Sequence, residues 1–241
     1  MSKAVVFSRP IKPEWLDKTV EIMLALQNPD DIALSINEYL SQYIKSHINI
    51  RKTREILMNI WVNVSKDEEG FRDKALKVYT FCDKSERLAV HWAMMLLAFP
   101  IFRDLCAIIG KLSDIQDEIT LSQIKRRVYE VWGERSTLEH SIPKNIKTLR
   151  ECGVLEQVKP GVYRVLKREV KNKDVISLLI YAVLKSRDKL YHSVWELERF
   201  KELFPFIIDV SVADLHRHDA FVLDRIGGET VVSIGKGFYD G

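Results

Sequence analysis

Two histidines flanked by carboxylates, in the run Asp214-Leu215-His216-Arg217-His218-Asp219, are the side chains best suited to hold a metal ion. Imidazole and carboxylate together suit zinc and related cations. Positions two apart on a helix diverge by about 200°, so the two rings share an ion only where the stretch is extended or turned, and surface histidines beside a loop are the favoured reading. A metal-dependent nuclease would want clustered carboxylates with a lysine near strand ends. Asp209, Asp224, Glu229 and Lys236 are the nearest such set, and their spacing follows no motif. His91, beside Trp92, falls in an apolar helical stripe without ligand partners at helical spacing, so it reads as packed. Cys82, Cys106 and Cys152 are odd in number and far apart, which offers neither a disulfide framework nor a CxxC knuckle. They read as small buried hydrophobes. The N-terminal half has no glycine-rich phosphate loop and no HExxH pattern, and no nucleophile elbow follows later. The expectation from these residues is a protein that is not an enzyme and needs no cofactor or metal.

The residues that do gather by type are basic. The chain has 37 Lys and Arg against 34 Asp and Glu, a net charge of +3, but the charge is uneven. Between Ser122 and Lys171 twelve basic residues face six acidic ones, a local +6, and the remainder sums to −3. A local positive field of this kind fits a surface that meets a polyanion.

The elements that must position these charges follow from patterning. A chain of 241 residues with 46% hydrophobic and 29% charged residues is folded, and its length suggests two or three units. The longest apolar stretch, Met94 to Phe102, is about half the ~20 residues that a bilayer requires and contains Pro100. The N-terminal residues lack the apolar core and cleavage site of a secretory signal, so a cytoplasmic location without membrane contact is expected.

From Pro13 to about Lys111 the stripes predict six amphipathic helices. They are marked by Trp15, Val20, Met23 and Leu26; by Ile32, Ile36, Leu40, Tyr43 and Ile44; by Ile56, Leu57, Ile60, Trp61 and Val64; by Phe71, Ala75, Leu76 and Tyr79; by Leu88, Trp92 and Met95; and by residues Ile101 to Leu112. The fifth should stop before Pro100. After Lys111 the pattern changes. Ile115 to Thr120 reads as a short strand, and Thr120-Leu121-Ser122-Gln123 as a capping box that starts a helix at Leu121. Leu121, Ile124, Val128 and Val131 share its inner face, and Gly133 ends it. Glu134 to Ser141 reads as a connection. Pro143 marks the start of a second helix, in which Ile142, Ile146 and Leu149 face inward and Gly153 forms the left-handed cap. Two strand-like runs, Val154 to Lys159 and Val162 to Leu166, join through Pro160-Gly161, the central pair of a type II turn.

This order, over about residues 101 to 168, resembles the winged helix-turn-helix family of DNA-binding proteins. The resemblance implies a second helix in the major groove and a hairpin wing along the backbone or minor groove. On this chain it implies Lys144, Asn145, Lys147 and Thr148 as the groove-facing surface, with Arg126, Arg127, Lys159, Arg164 and Lys167 as phosphate contacts. Asn145 is the helix residue suited to a bidentate contact with adenine, and Glu151 would repel phosphates unless Lys147 pairs with it. The helical half together with the winged middle also resembles the accessory A protein family of BREX-type phage-defence systems, through Phe99-Pro100-Ile101-Phe102-Arg103-Asp104-Leu105 and Leu149 to Leu155.

Beyond the hairpin, apolar helices are predicted over Lys173–Lys185 and Ser193–Leu203. A β-branched stretch Phe206–Val212 and a short turn Ala213–Ala220 come next, then a hairpin, Phe221–Ile226 and Glu229–Ile234, around Gly227-Gly228. The expected fold is mainly α: a helical bundle (1–112), a winged helix-turn-helix with small β-hairpins (113–170) and an α+β C-terminal module (171–241), which reads alternatively as a second, degenerate winged module. The expected function is duplex DNA binding without catalysis, as a transcription regulator or as a subunit of a DNA-acting phage-defence assembly with other proteins. The alternative is a scaffold whose winged module docks protein.

Overall fold

The computed structural model describes residues 7–187 and 189–235. Lys236 and the first six residues therefore lie outside the described residues. Of the described residues 61% are helical and 13% are in strands.

Six helices open the chain: α1 (Pro13–Ala25), α2 (Pro29–Ser41), α3 (His47–Trp61), α4 (Glu69–Phe81), α5 (Arg87–Ala98) and α6 (Pro100–Ser113). Local chemistry fixes their starts. Proline occupies the first turn of α1, α2 and α6, and the side chains of Asn28 and Ser46 cap α2 and α3. Helix α5 is apolar around its whole circumference, and every residue from Leu88 to Leu96 is buried, as suits a central helix. No single helix is long and apolar enough to cross a membrane, and α5 and α6 meet in a 118° bend at Phe99-Pro100.

The middle of the chain contributes β1 (Glu118–Thr120), α7 (Leu121–Trp132), α8 (Ser136–Glu151), β2 (Leu155–Lys159) and β3 (Val162–Val165). The Thr120 and Gln123 side chains each bond the other's backbone N–H, the reciprocal cap that starts α7. The strands form an antiparallel sheet in the order β1-β3-β2, with Ile119 opposite Tyr163 and Leu155 opposite Val165. Gly161 takes a φ of +74° in the Pro-Gly turn.

Two expectations are corrected here. Helix α8 begins at Ser136, seven residues before Pro143, because Leu138 extends the buried stripe of Ile142, Ile146 and Leu149 by one more turn. Pro143 sits inside the helix on its exposed side, where water can satisfy the carbonyl that its ring leaves free. The turn between α7 and α8 thus shrinks to Gly133–Arg135. Val131 is 63% exposed rather than inward, and the adjacent Trp132 packs instead, its indole N–H bonded to Asp104 Oδ2 at 2.9 Å.

The remaining elements are β4 (Arg168–Glu169), α9 (Lys173–Lys185), β5 (His192–Ser193), β6 (Phe206–Ile207), α10 (Val212–His216), β7 (Phe221–Ile226) and β8 (Glu229–Ile234). The stretch expected as one helix over Ser193–Leu203 is two 3-10 segments, Val194–Arg199 and Lys201–Leu203, divided at Phe200. Helix α9 packs on α4 and α5, with Tyr181 stacked on Phe71 at 5.0 Å. The C-terminal sheet runs β5-β8-β7. In both three-stranded sheets, then, the strand that precedes the helical stretch pairs with the second strand of the following hairpin. The two segments differ in the last helix before the hairpin, which has 16 residues in α8 and five in α10.

Parallel pairing of β4 with β6 joins the two segments. So does Gly110 of α6, where a side chain would meet the Lys201 carbonyl oxygen at 2.5 Å. Buried side chains of the described residues form one continuous cluster from Phe7 to Val232.

Candidate nucleic-acid interface

Helix α8 buries Ile142, Ile146 and Leu149, and it also buries Asn145 and Thr148, which are fully covered. The expectation that Asn145 and Thr148 face a DNA groove is therefore corrected. Their flank of the helix is occupied by residues 7–11. Thr148 Oγ1 accepts the Ile11 N–H at 2.9 Å and donates to the Lys144 carbonyl at 3.2 Å. Asn145 Nδ2 donates to the carbonyls of Ser141 (2.8 Å) and Phe7 (3.4 Å). Phe7 anchors this segment against Phe99 and Phe102, with ring centroids 4.6 and 5.0 Å away. A readable signal existed: Ser141, Asn145 and Thr148 recur at i, i+4 and i+7 as small uncharged polar groups, a face suited to binding backbone rather than water.

The outer edge of α8 remains open. Lys147 and Arg150 are exposed and Lys144 is half-buried. On α7, Arg126 and Arg127 are exposed, and Arg127 pairs with Glu130 at 2.9 Å. On the hairpin, Arg164 lies 3.5 Å from Glu118 and 3.7 Å from Glu156, so its charge is shared. Lys159 at the turn and Lys167 after β3 are exposed, and neither they, Arg126, Lys144 nor Lys147 makes an ion pair among the described residues. Lys147 and Glu151 do not pair, although both line one cleft. Arg168 is structural: its guanidinium donates to the carbonyls of Cys152 (3.1 Å) and Gly153 (3.3 Å), closing the C-terminal end of α8. Gly153, at φ +65°, also makes room for it, since a Cβ there would lie 2.8 Å from Arg168 Nη2.

Sequence reasoning did not reach the other side of α8. A cleft of about 210 Å³ opens between the 9–15 segment, α3 and α8, lined by Arg9, Lys12, Trp15, Asn49, Lys147 and Glu151. Burial holds the Lys144 ammonium below its ordinary range, and the nearby charges of Arg9 and Lys52 add to the shift. Arg9 and Lys52 lie more than about 80 positions before α8 in the chain, beyond the reach of any local pattern.

The residues considered for metal or catalytic chemistry are placed otherwise. His91 is buried; its Nδ1 accepts the Trp61 indole N–H at 3.1 Å, so its Nε2–H donates to Asp17 Oδ1 at 3.2 Å. The Tyr79 hydroxyl donates to the same oxygen at 2.5 Å. Burial pushes the Asp17 pKa up, but hydrogen bonds from His91 and Tyr79 outweigh it and leave it lowered; burial lowers that of His91. His216 is exposed at the end of α10, and His218 lies 3.9 Å from Asp174. Lys173 engages both Asp209 (3.5 Å) and Asp214 (3.1 Å). Among the described residues no group of three or more His, Cys, Asp or Glu side chains is arranged to hold a metal ion.

No protein-family model, curated protein or solved structure matches this chain.

Proposed function

We propose that the chain binds duplex DNA without catalysing a reaction, through a winged helix-turn-helix made of α6, β1, α7, α8, β2 and β3. The observation that carries this reading is the pairing of β1 with β3, which ties the hairpin turn to the N-terminal end of α7, with the Leu121 N–H donating to the Gly161 carbonyl at 2.8 Å. Unpaired cations then stand along one unit: Lys144 and Lys147 on α8, Arg126 on α7, Lys159 on the hairpin and Lys167 just after it. With Asn145 and Thr148 withdrawn into the core, the side chains left on the surface are those that hold phosphates rather than those that read bases. The expected binding is accordingly tolerant of sequence and sensitive to salt.

Such a protein suits a place in a larger DNA-acting assembly better than that of a stringent operator reader, in keeping with the resemblance to the BREX accessory A family. The two stretches that carry that resemblance are largely core, with Phe99, Ile101, Phe102 and Leu105 buried in one and Leu149, Cys152, Val154 and Leu155 in the other. They build the scaffold. One feature favours a protein partner for the C-terminal segment. Trp195, 56% exposed with Arg199 over its ring, lines an open cleft of about 620 Å³ with Val194, Val210 and Val212.

The DNA reading is tested by Lys147→Glu combined with Lys159→Glu, both at exposed positions. Anisotropy of a labelled duplex should show binding abolished while the melting temperature stays within about 2 °C, a shift expected for surface changes worth about 0.5 kcal/mol. Unchanged affinity in the double variant would remove α8 and the hairpin from the interface.

A further inference from the structure

The cleft beside α8 gathers charge from three places in the chain. Arg9 and Lys12 line it from the segment before α1, Lys12 over the Trp15 ring at 5.7 Å, and Lys147 lines it from α8; Lys52 of α3 and Lys144 of α8 are not among the lining residues, but the charges of Arg9 and Lys52 reach the Lys144 ammonium. The Arg9 side chain is held in place, its Nε donating to Asn49 Oδ1 at 2.9 Å and its Nη1 to the Ser8 carbonyl at 2.6 Å. Glu151 is the one carboxylate among the residues lining the cleft, and none of the five cations forms an ion pair with a carboxylate among the described residues. Like charges brought together and partly desolvated repel one another, and an anion seated among them relieves that repulsion. A guanidinium held in place beside ammonium groups matches the tetrahedral oxygens of phosphate.

We infer that this cleft takes a phosphate group of a nucleic-acid backbone, so that the N-terminal segment and α3 are part of the interface and not a separate scaffold. The inference rests on the DNA reading above and extends its footprint from the hairpin side of α8 to the opposite side. The backbone would cross α8 at Lys147, with the hairpin lysines contacting one stretch and Arg9 and Lys52 the next.

The test uses the full chain in two arms. In the first, acylation rates of Lys52, Lys144 and Lys147 are read by mass spectrometry with a 30-base-pair duplex and, separately, with sodium tripolyphosphate; exposed Lys77, on α4, serves as the reference. Both additions should slow acylation at these three lysines relative to Lys77. In the second, the salt dependence of duplex binding is compared between the wild-type chain and Arg9→Gln/Lys52→Gln, with melting curves to confirm the fold. Loss of the one phosphate seated there should make the log–log slope shallower by about 0.9. If the duplex binds the wild-type chain but Lys52 and Lys144 stay reactive and the slope is unchanged in the variant, the cleft is overturned and the DNA reading survives. If tripolyphosphate protects the lysines and no duplex binds, the nucleic-acid occupant falls together with the reading it rests on.

Discussion

Thr148 separates a structural role from a recognition role in a single substitution. Thr148→Val keeps the shape of the side chain and removes its oxygen, leaving the Ile11 N–H without the acceptor it now has at 2.9 Å in a fully covered site. An unsatisfied buried donor costs about 1–3 kcal/mol. Taking about 2 kcal/mol, and about 2–4 °C per kcal/mol for a chain of this size, the melting temperature should fall by roughly 4–8 °C. The loss acts where residues 7–11 meet α8, so amide hydrogen exchange at Ile11 should rise along with it. Duplex affinity, measured well below the transition, should be unchanged, because the side chain does not reach the surface. A variant that melts like the wild-type chain but binds duplex more weakly would mean that Thr148 contacts the ligand and that the covering segment is not in place in solution.

Gly110→Ala should lower the melting temperature despite the roughly 1 kcal/mol that alanine gains over glycine inside a helix, since the new methyl group would sit 2.5 Å from the Lys201 carbonyl oxygen; a higher melting temperature would refute the close approach of α6 to the 201–203 turn. Burial lowers the pKa of His91 below its ordinary 6.5, so the unfolded chain takes up a proton that the folded chain refuses. Stability from this residue is complete above pH 6.5 and is lost as the pH falls below it, and His91→Gln should flatten urea-derived stability between about pH 7 and pH 5. Asp17 acts lower: its carboxylate is held below the ordinary 3.8, so its contribution persists above that value and disappears as the pH drops through the lowered one.

Much of the fold is legible because its signals are local. The six N-terminal helices, the Thr120/Gln123 cap, the Pro160-Gly161 turn and the hairpin around Gly227-Gly228 each depend on residues within a few positions of one another. The start of α8 is missed because Pro143 is taken as a first-turn proline, while Leu138, one turn earlier on the same stripe, carries the better signal. The Ser193–Leu203 segment has helical apolar spacing yet forms two 3-10 turns, the first packed against β5 and β8 and the second against α6 and α9, where a continuous helix was expected. The interface is the least legible part. A wheel drawn for α8 alone distinguishes one buried face from the rest, but it cannot show that residues 7–11 cover a second flank, since that depends on Phe7 finding Phe99 and Phe102 more than 90 positions away. The same distance hides Arg9 and Lys52 from any reading of the basic window alone.

The most direct measurement is the equilibrium binding of a labelled random-sequence duplex by the intact chain at about 50 mM and about 200 mM monovalent salt. With five phosphates held by Lys144, Lys147, Arg126, Lys159 and Lys167, the log–log slope should be about −4.5 or steeper, a loss of affinity of about 500-fold across that interval. Absence of binding at micromolar protein in the lower salt, or an affinity indifferent to salt, would contradict the assignment of this surface to DNA.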